Sequence, residues 1–432
     1  MISEIEKLLS EPLTALNFPG EIYRLNNGLT VIHQHLPATP VAVVDIWVRA
    51  GAMTEPDEWS GMAHFLEHMI FKGTERLATG VFDAAIERHG GVSNAATSHD
   101  YAHFFITTAA QYLEDTLPLL ADLLLHPAIP DEEFVRERDV VLEEIRSCYD
   151  NPDWLGYQAL SESVYQCHPY GRSILGTEIQ LMERSPQQMR SFHSTHYQPE
   201  NMTVVIVGGV DQESALNLVN QSFQNFPQPA ECPKLVAEAE PPITGVRRQE
   251  LYLPRLEQAR LLMAWIGPGV DRLRDAYGLD LLSVLLADGR SSRLVRELRE
   301  EQQLVQHISS GFSLQRDSSL FTISAYLEPQ YLEQVEELIG DRLYHLQKTP
   351  VSQTELSRCQ RLLCNDYTFS TEAASQIAGL YGYYNTIATA EVAVSYPHQI
   401  QKFKPLDLMH LAQQYLSPYH YAVTVLKPLA QE

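Results

Sequence analysis

The segment His64-Phe65-Leu66-Glu67-His68 carries residue types at a spacing that can do chemistry. On a helix, residues four apart stand one above the other, so His64 and His68 would present two imidazoles to one point, as a divalent zinc ion requires. Glu67 lies on the same side but one residue off that axis, so it reaches a water held by the metal more naturally than the metal itself. A carboxylate there can take a proton from such a water and hand it to a leaving amine. The competing structural reading is a polar stripe opposite a core face of Phe65, Leu66 and Met69. Two histidines and one water leave a tetrahedral site short by one protein ligand, so the chemistry needs a further residue.

The source expected for that residue is the acidic stretch that begins at Asp131 and ends at Arg146. Phe134, Arg138, Val141 and Ile145 recur at helical spacing, and Glu137, Val140 and Glu144 make the neighbouring stripe, with the two carboxylates about two turns apart. Glu143 points about 100° away from Glu144, so only one of that adjacent pair can face the site. Periodicity does not choose between Glu144 and Glu137. His193 and His196 have no nearby acid to complete a second site, and His126 and His168, each before a proline, read as turn residues.

The elements around these residues read as α+β with largely antiparallel pairing. Glu21–Leu25 and Leu29–Gln34 flank Asn26-Asn27-Gly28, which predicts a β-hairpin. A β-branched run from Pro40 to Val48 predicts a strand, and Ser60 is the expected N-cap of a helix filled by Met62, Phe65, Leu66, Met69 and Ile70, with Gly73 closing its end. Further helices are expected at 80–89, 109–125, 131–148 and 186–194, and strands at 102–108 and 202–207. Between Phe226 and Gly245 stand Pro227, Pro229, Pro233, Pro241 and Pro242, which excludes a helix or central strand and predicts an extended linker. The second half then repeats the plan: strands at 248–253 and 259–266, a helix at 275–286, strands at 305–313 and 319–326, and helices at 330–347 and 352–369. The expected organisation is a duplicated α+β domain, 1–228 and 246–432, joined by the Pro-rich segment 229–245.

Composition narrows the function classes. The 432 residues carry 31 Lys+Arg against 55 Asp+Glu, a formal net charge of −24, which argues against nucleic acid as a partner. The acid is concentrated in front: residues 1–230 hold 12 basic and 31 acidic side chains, net −19, and the remainder is net −5. That imbalance reads either as a solubilising surface or as a field that attracts basic peptides. Five scattered cysteines form no disulfide framework, no signal or transit pattern opens the sequence, and no apolar stretch nears membrane-spanning length. The expectation is a cytoplasmic protein without a membrane partner.

The sequence also resembles a known family. His64-Phe-Leu-Glu-His-Met-Ile-Phe-Lys-Gly-Thr74, followed by a Glu-rich helix with Glu144 placed 76 residues after His68, is similar to the inverzincin metallopeptidases of the pitrilysin/insulinase family, in the branch of bacterial processing proteases and mitochondrial processing peptidase subunits. The likeness covers nearly the whole chain and includes Gly90-Gly91-Val92-Ser93-Asn94-Ala95-Ala96-Thr97, His168-Pro-Tyr-Gly171 with Leu175-Gly176-Thr177, Tyr197-Gln-Pro-Glu-Asn201-Met202, and Gly289-Arg-Ser-Ser-Arg-Leu294. The resemblance implies one zinc per chain bound by His64, His68 and Glu144, with Glu67 as general base and Glu137 as a supporting carboxylate. It implies that Asn94 and Ala95 lie on an edge strand to which an extended peptide adds. His99 and His103 flank that strand, where packing explains them as readily as binding. The implied fold is two homologous rolls around a chamber, and the implied activity is zinc-dependent endopeptidase cleavage of extended peptides, with basic peptides favoured by the acidic front half.

One departure stands out. Active members carry an Arg and a Tyr seven residues apart in the second half; here Arg299 fits the first position, but Gln306 stands at the second. This leads to the expectation of a heterodimer in which a homologous subunit supplies the Arg/Tyr pair, a self-sufficient homodimer or monomer being the alternative. The rival from another class is a non-catalytic, core-type subunit that binds peptides or scaffolds a complex.

Overall fold

The computed structural model of the chain describes residues 9–10, 18–233, 237–254 and 256–429. They fall into two compact units, one within Met1–Ile145, Ser173–Val236 and Ser370–Val394, the other within Arg146–Arg172, Ala237–Phe369 and Ser395–Glu432. Each is built on a mixed sheet with packed helices.

In the first unit the strands are β1 (Leu9–Ser10), β2 (Glu21–Leu25), β3 (Thr30–His35), β4 (Val41–Val48), β5 (Val92–Thr97), β6 (Ala102–Ala109) and β7 (Met202–Gly208), in the order β1-β2-β3-β7-β4-β6-β5. Every pairing is antiparallel except β3 with β7. β4 reads Val-Ala-Val-Val-Asp-Ile-Trp-Val and is buried at every residue after the first, as a strand covered on both faces must be. β5, Val-Ser-Asn-Ala-Ala-Thr, alternates exposed and half-buried residues and ends the sheet.

The second unit repeats this with β8 (Val246–Leu253), β9 (Ala259–Pro268), β10 (His307–Ser313), β11 (Ser318–Leu327) and β12 (Tyr421–Pro428), in the order β10-β11-β9-β12-β8. Here too one pair is parallel, β8 with β12. Matching β8, β12, β9, β11 and β10 to β3, β7, β4, β6 and β5 reproduces both the order and the position of the parallel pair, so the duplication expected from the sequence is present as topology. The described residues of the Pro-rich segment 229–245 form neither helix nor strand.

The two units differ from the continuous halves 1–228 and 246–432 by two exchanged helices. Ala374–Ile387 packs on β4 and β7 of the first unit, where Ile377, Ala378 and Tyr381 close a core with Val43, Trp47, Val205 and Val207. Pro152–Val164 packs on β12, β9 and β8 of the second. Each crossing is made at a glycine. A Cβ on Gly382 would stand 2.0 Å from Nε1 of Trp47, and one on Gly156 would stand 3.1 Å from methyl groups of Leu262 and Leu426.

The helix that carries the histidines runs Met62–Ile70, and its N-terminus corrects an expectation. Ser60 does not cap it. The cap residue is Gly61, in the left-handed region at φ 87°, and no side chain of that residue takes the free amides. They are taken instead by Glu55, a fully buried carboxylate that accepts from the Gly61 amide at 2.9 Å and the Ala63 amide at 2.7 Å. A carboxylate at a helix N-terminus also meets the positive end of the helix dipole, which makes up part of the cost of burying its charge. At the other end Gly73 adopts φ 96° after the last turn, as expected.

Gly61 has a second constraint: a Cβ there would stand 2.5 Å from the carbonyl oxygen of Leu175, and a Cβ on Gly176, itself at φ 71°, would stand 2.5 Å from the Ser60 carbonyl oxygen. Gly61→Ala is therefore expected to cost about 1–3 kcal/mol, since it adds a clash to a left-handed backbone. Gly340, inside the helix Leu332–Lys348 with open space where its Cβ would be, should give the opposite sign on Gly340→Ala, a gain of about 0.5–1 kcal/mol. Denaturant unfolding midpoints check both; an unchanged midpoint for Gly61→Ala would contradict the reading of this N-terminus.

Candidate metal centre

The helix Met62–Ile70 buries Met62, Phe65, Leu66, Met69 and Ile70, which fixes its rotation and leaves His64 and His68 on a shared face with ring centroids 4.8 Å apart. The acidic helix Asp131–Tyr149 buries Phe134, Val141 and Ile145, and Phe134 meets Phe65 at 4.6 Å between centroids. This aromatic contact joins the two helices, and it brings both Glu137 and Glu144 to the histidines. Glu143 is exposed, as the 100° step requires.

Glu144 and Glu137 take different places. One oxygen of Glu144 stands 3.6 Å from Nε2 of His64 and 3.5 Å from Nε2 of His68. Glu137 accepts from Nδ1 of His68 at 2.9 Å and pairs with Nζ of Lys72 at 2.6 Å. An ionised carboxylate only accepts, so in the neutral, metal-binding form of His68 the proton sits on Nδ1 and Nε2 presents its lone pair toward Glu144 and His64. The separations of 3.5–3.6 Å exceed a hydrogen bond but match two donors sharing one tetrahedral zinc: bonds of about 2.1 Å at the tetrahedral angle put donor atoms about 3.4 Å apart. One ligand atom from each of His64, His68 and Glu144 lies within 4.8 Å of the others, and among the described residues no other group of His, Cys, Asp or Glu converges in this way. The donor set, two imidazoles and a carboxylate with room for a fourth ligand, fits zinc.

Burial and mutual charge tune the groups. Burial, helped by the neighbouring His68 charge, lowers His64 to about 4, so this imidazole is neutral at pH 7 and its lone pair is available. Burial alone would lower His68 as well, but the Glu144 and Glu137 carboxylates outweigh it and raise the group. Glu144 is held below the usual carboxylate range by His68. Glu67 goes the other way: burial pushes it up, against the opposing effects of a Thr97 hydroxyl and the His68 and His103 charges.

Glu67 faces the sheet edge. Oγ1 of Thr97, the last residue of β5, donates to Oε2 of Glu67 at 2.5 Å, which ties the carboxylate to the edge strand. Asn94 and Ala96 of that strand are exposed, and Ala95 is half-buried with its amide donating to the Asn94 side chain at 2.9 Å. The outer edge of β5 pairs with no strand among the described residues. Arg299 belongs to the other unit, in a π-helical stretch Val295–Glu301, where Glu300 accepts from its Nε at 2.9 Å and its Nη2 at 2.6 Å. Gln306 is exposed, and its backbone amide donates to Tyr326.

Sequence reasoning missed four residues that shape this site. Glu55 sits among the acids Glu55, Asp57 and Glu58 with nothing local to single it out. Thr97 and Lys72 lie inside recognisable segments, but their bonds cross between elements. Tyr197 is fully buried beside Glu67, whose charge helps burial to raise the phenol, and its hydroxyl has no partner among the described residues. Tyr197 stands in the polar run His193-Ser-Thr-His-Tyr-Gln-Pro199, where nothing local marks it as a side chain buried against Glu67.

Known proteins resemble the chain over most of its length. Residues 30–178 match the family model described as Insulinase (Peptidase family M16), and residues 185–363 match the one described as Peptidase M16 inactive domain. The chain is 31% identical over 414 residues to the zinc protease PqqE of Helicobacter pylori, covering 94% of this chain and 93% of that protein. It is 28% identical over 359 residues to an uncharacterized zinc protease, YmxG, of Bacillus subtilis, covering 82% and 85% respectively. The crystal structure of a protease from Helicobacter pylori superposes with a TM-score of 0.89 at 30% identity over 95% of this chain and 99% of that one. In the second unit the helix that corresponds to Met62–Ile70, Leu273–Ala287, contains no histidine. No helix among the described residues is long and apolar enough to cross a membrane.

The two helical carboxylates are distinguishable by experiment. Glu144→Gln should remove most bound zinc, and Glu137→Gln should weaken retention about 10–100-fold by freeing the His68 ring. Glu143→Gln should leave it unchanged. Zinc content after dialysis against a chelator reads all three, and equal losses from Glu143→Gln and Glu144→Gln would contradict the assignment.

Proposed function

The chain belongs to the insulinase family, peptidase family M16, and from that premise we propose that it is a zinc-dependent endopeptidase acting on extended peptides. The observation that carries this reading is the convergence of His64, His68 and Glu144 within 4.8 Å, with Glu67 beside them and tied to a free sheet edge. His64, His68 and Glu144 would hold one zinc. When bound, the ion supplies Lewis acidity to the scissile carbonyl and acidity to the attacking water.

The chain's own residues account for the rest. Peptide backbone pairs with the outward amides and carbonyls of β5, a mode indifferent to sequence, with Asn94 and Ala95 at the contact. Thr97 holds Oε2 of Glu67, which leaves Oε1 to take the proton of the attacking water and pass it to the leaving amine. Burial makes that carboxylate a stronger base than an exposed glutamate. Glu137 and Lys72 keep the His68 ring in one tautomer and orientation. The net −19 of residues 1–230 favours peptides rich in Lys and Arg. No disulfide joins the five cysteines, in keeping with a cytoplasmic setting.

Glu67→Gln in the zinc-loaded chain is expected to retain the metal and lose about 10²–10⁴-fold in kcat on internally quenched peptides. Undiminished hydrolysis by that variant would remove Glu67 from the mechanism. Comparing basic and acidic peptides of equal length in the same assay, the basic series should be favoured at low salt, and equal rates at every ionic strength would return the charge to a matter of solubility.

We further propose that catalysis is completed in a heterodimer. Arg299 is committed to Glu300, and Gln306 replaces the tyrosine expected seven residues on, so a homologous subunit would supply the Arg/Tyr pair. Activity of the isolated chain should then rise steeply on adding that subunit. Full activity of the chain alone would instead favour a monomer or homodimer.

A further inference from the structure

Asp45 is the one charged residue in β4, and it is buried among apolar neighbours in the centre of the sheet. A carboxylate in that position is costly unless paired. Its partner is His103 of β6, whose Nδ1 stands 3.0 Å from Oδ1 of Asp45. Trp47 stacks on the imidazole at 4.3 Å and 24° between planes, and Phe105 flanks it at 5.9 Å and 26°. The ring therefore has little freedom to turn. The carboxylate accepts from Nδ1, so the neutral ring has Nε2 as an acceptor, and no hydrogen bond to Nε2 is formed among the described residues.

The register of the sheet gives that nitrogen a use. His103 stands directly across from Ala96 of β5, and opposite residues share a face, so His103 and Ala96 lie on the same side of the sheet. Thr97, the neighbour of Ala96, reaches Glu67 from the other side. Ala96 is exposed and has only a methyl group, so a side chain from a peptide added beyond β5 can lie across it toward His103. Strands about 4.8 Å apart put the added backbone roughly 10 Å from β6. An extended lysine stem spans about 6 Å from Cα to its nitrogen, and the imidazole covers about 4 Å from its own side. Serine and asparagine are too short, whereas lysine and arginine reach. The buried Asp45 charge and the aromatic faces of Trp47, Tyr101 and Phe105 favour a cation there.

We propose that His103, held by Asp45, is a specificity-determining residue that accepts a hydrogen bond from a lysine or arginine of the substrate, the one lying opposite Ala96 on the side of the sheet away from Glu67. This rests on the peptidase reading above for the pairing of substrate with β5, but not on turnover. The test is binding to zinc-loaded Glu67→Gln protein. An extended peptide is walked with lysine at each position in turn and compared with norleucine, which has nearly the same stem and no donor. At one position lysine should bind at least about 5-fold more tightly. Ala96→Leu, at an exposed position, blocks the path without touching the pair; the double variant Asp45→Leu/His103→Phe removes the pair without stranding a buried charge. Both should bring the ratio at that position to about 1. A ratio that survives in both variants, or equal binding of lysine and norleucine at every position in the parent protein, overturns the proposal. Loss of all peptide binding overturns the strand-pairing premise and this proposal with it. Tight, lysine-selective binding without hydrolysis by the protein with Glu67 intact would sink the peptidase reading and leave this one standing.

Discussion

Three ligand atoms from two helices have to be held within 4.8 Å of one another, and much of the first unit serves that separation. Two imidazole nitrogens and a carboxylate brought this close desolvate each other, so the arrangement is unfavourable locally and has to be imposed by packing elsewhere. The Phe65–Phe134 contact sets the approach of the helices, and Glu55 sets where the first of them begins. Gly61 and Gly176 let the Leu175–Thr177 segment come against that start. The metal-facing atoms take the orientation this frame dictates, with Glu137 and Lys72 correcting the one ring that could still turn.

The duplicated unit shows what the frame looks like without this burden. The sheet order and the single parallel pair are conserved between the two units, and each takes a helix from the sequence of the other half, crossing at Gly156 in one case and Gly382 in the other. What changes is the chemistry. Leu273–Ala287 buries a nearly continuous apolar surface, and the carboxylate of Asp280, half-buried, is raised to about 7 by desolvation and bonded by the Tyr396 hydroxyl at 3.0 Å. One copy of the architecture spends its interior on polar ligands and the other on packing. The first needs extra polar supports such as Glu55, and the second does not.

How much of this could be read from sequence followed the range of the interaction involved. His64, Glu67 and His68 were legible because helical spacing alone puts them together. The hairpin around Gly28, the long acidic helix and the repeated plan were legible because each depends on local periodicity or turn chemistry. The choice of Glu144 over Glu137 was not, since both lie on one stripe two turns apart, and only the crossing of the two helices decides which carboxylate meets Nε2 and which meets Nδ1. Ser60 obeyed the local capping rule and was overruled by a residue five positions upstream in an irregular segment. The exchanged helices were invisible because their glycines, read locally, only weaken a helix; the reason for them is an indole in one case and two leucines in the other.

The charge distribution then takes on a physical meaning that composition could not give it. Glu67, Glu137, Glu144 and the nearby Asp45 put four carboxylates around three imidazoles, with Lys72 as the one lysine bound into the set. Each carboxylate except Glu67 has a basic partner at close range, and Glu67 is the one whose acidity falls, chiefly because burial removes its water and to a lesser degree because Glu144 repels its charge. A divalent cation at the three ligand atoms would counter that repulsion and draw Glu67 back toward ionisation. Its basicity would then be set by two opposed effects, the burial that raises it and the cation that lowers it. A base poised in this way can both accept a proton and release it, which a fully exposed or fully neutralised glutamate does poorly. The acidity of the front half is thus partly a consequence of building a cation site inside a folded core, where every negative ligand needs either a fixed partner or the ion itself.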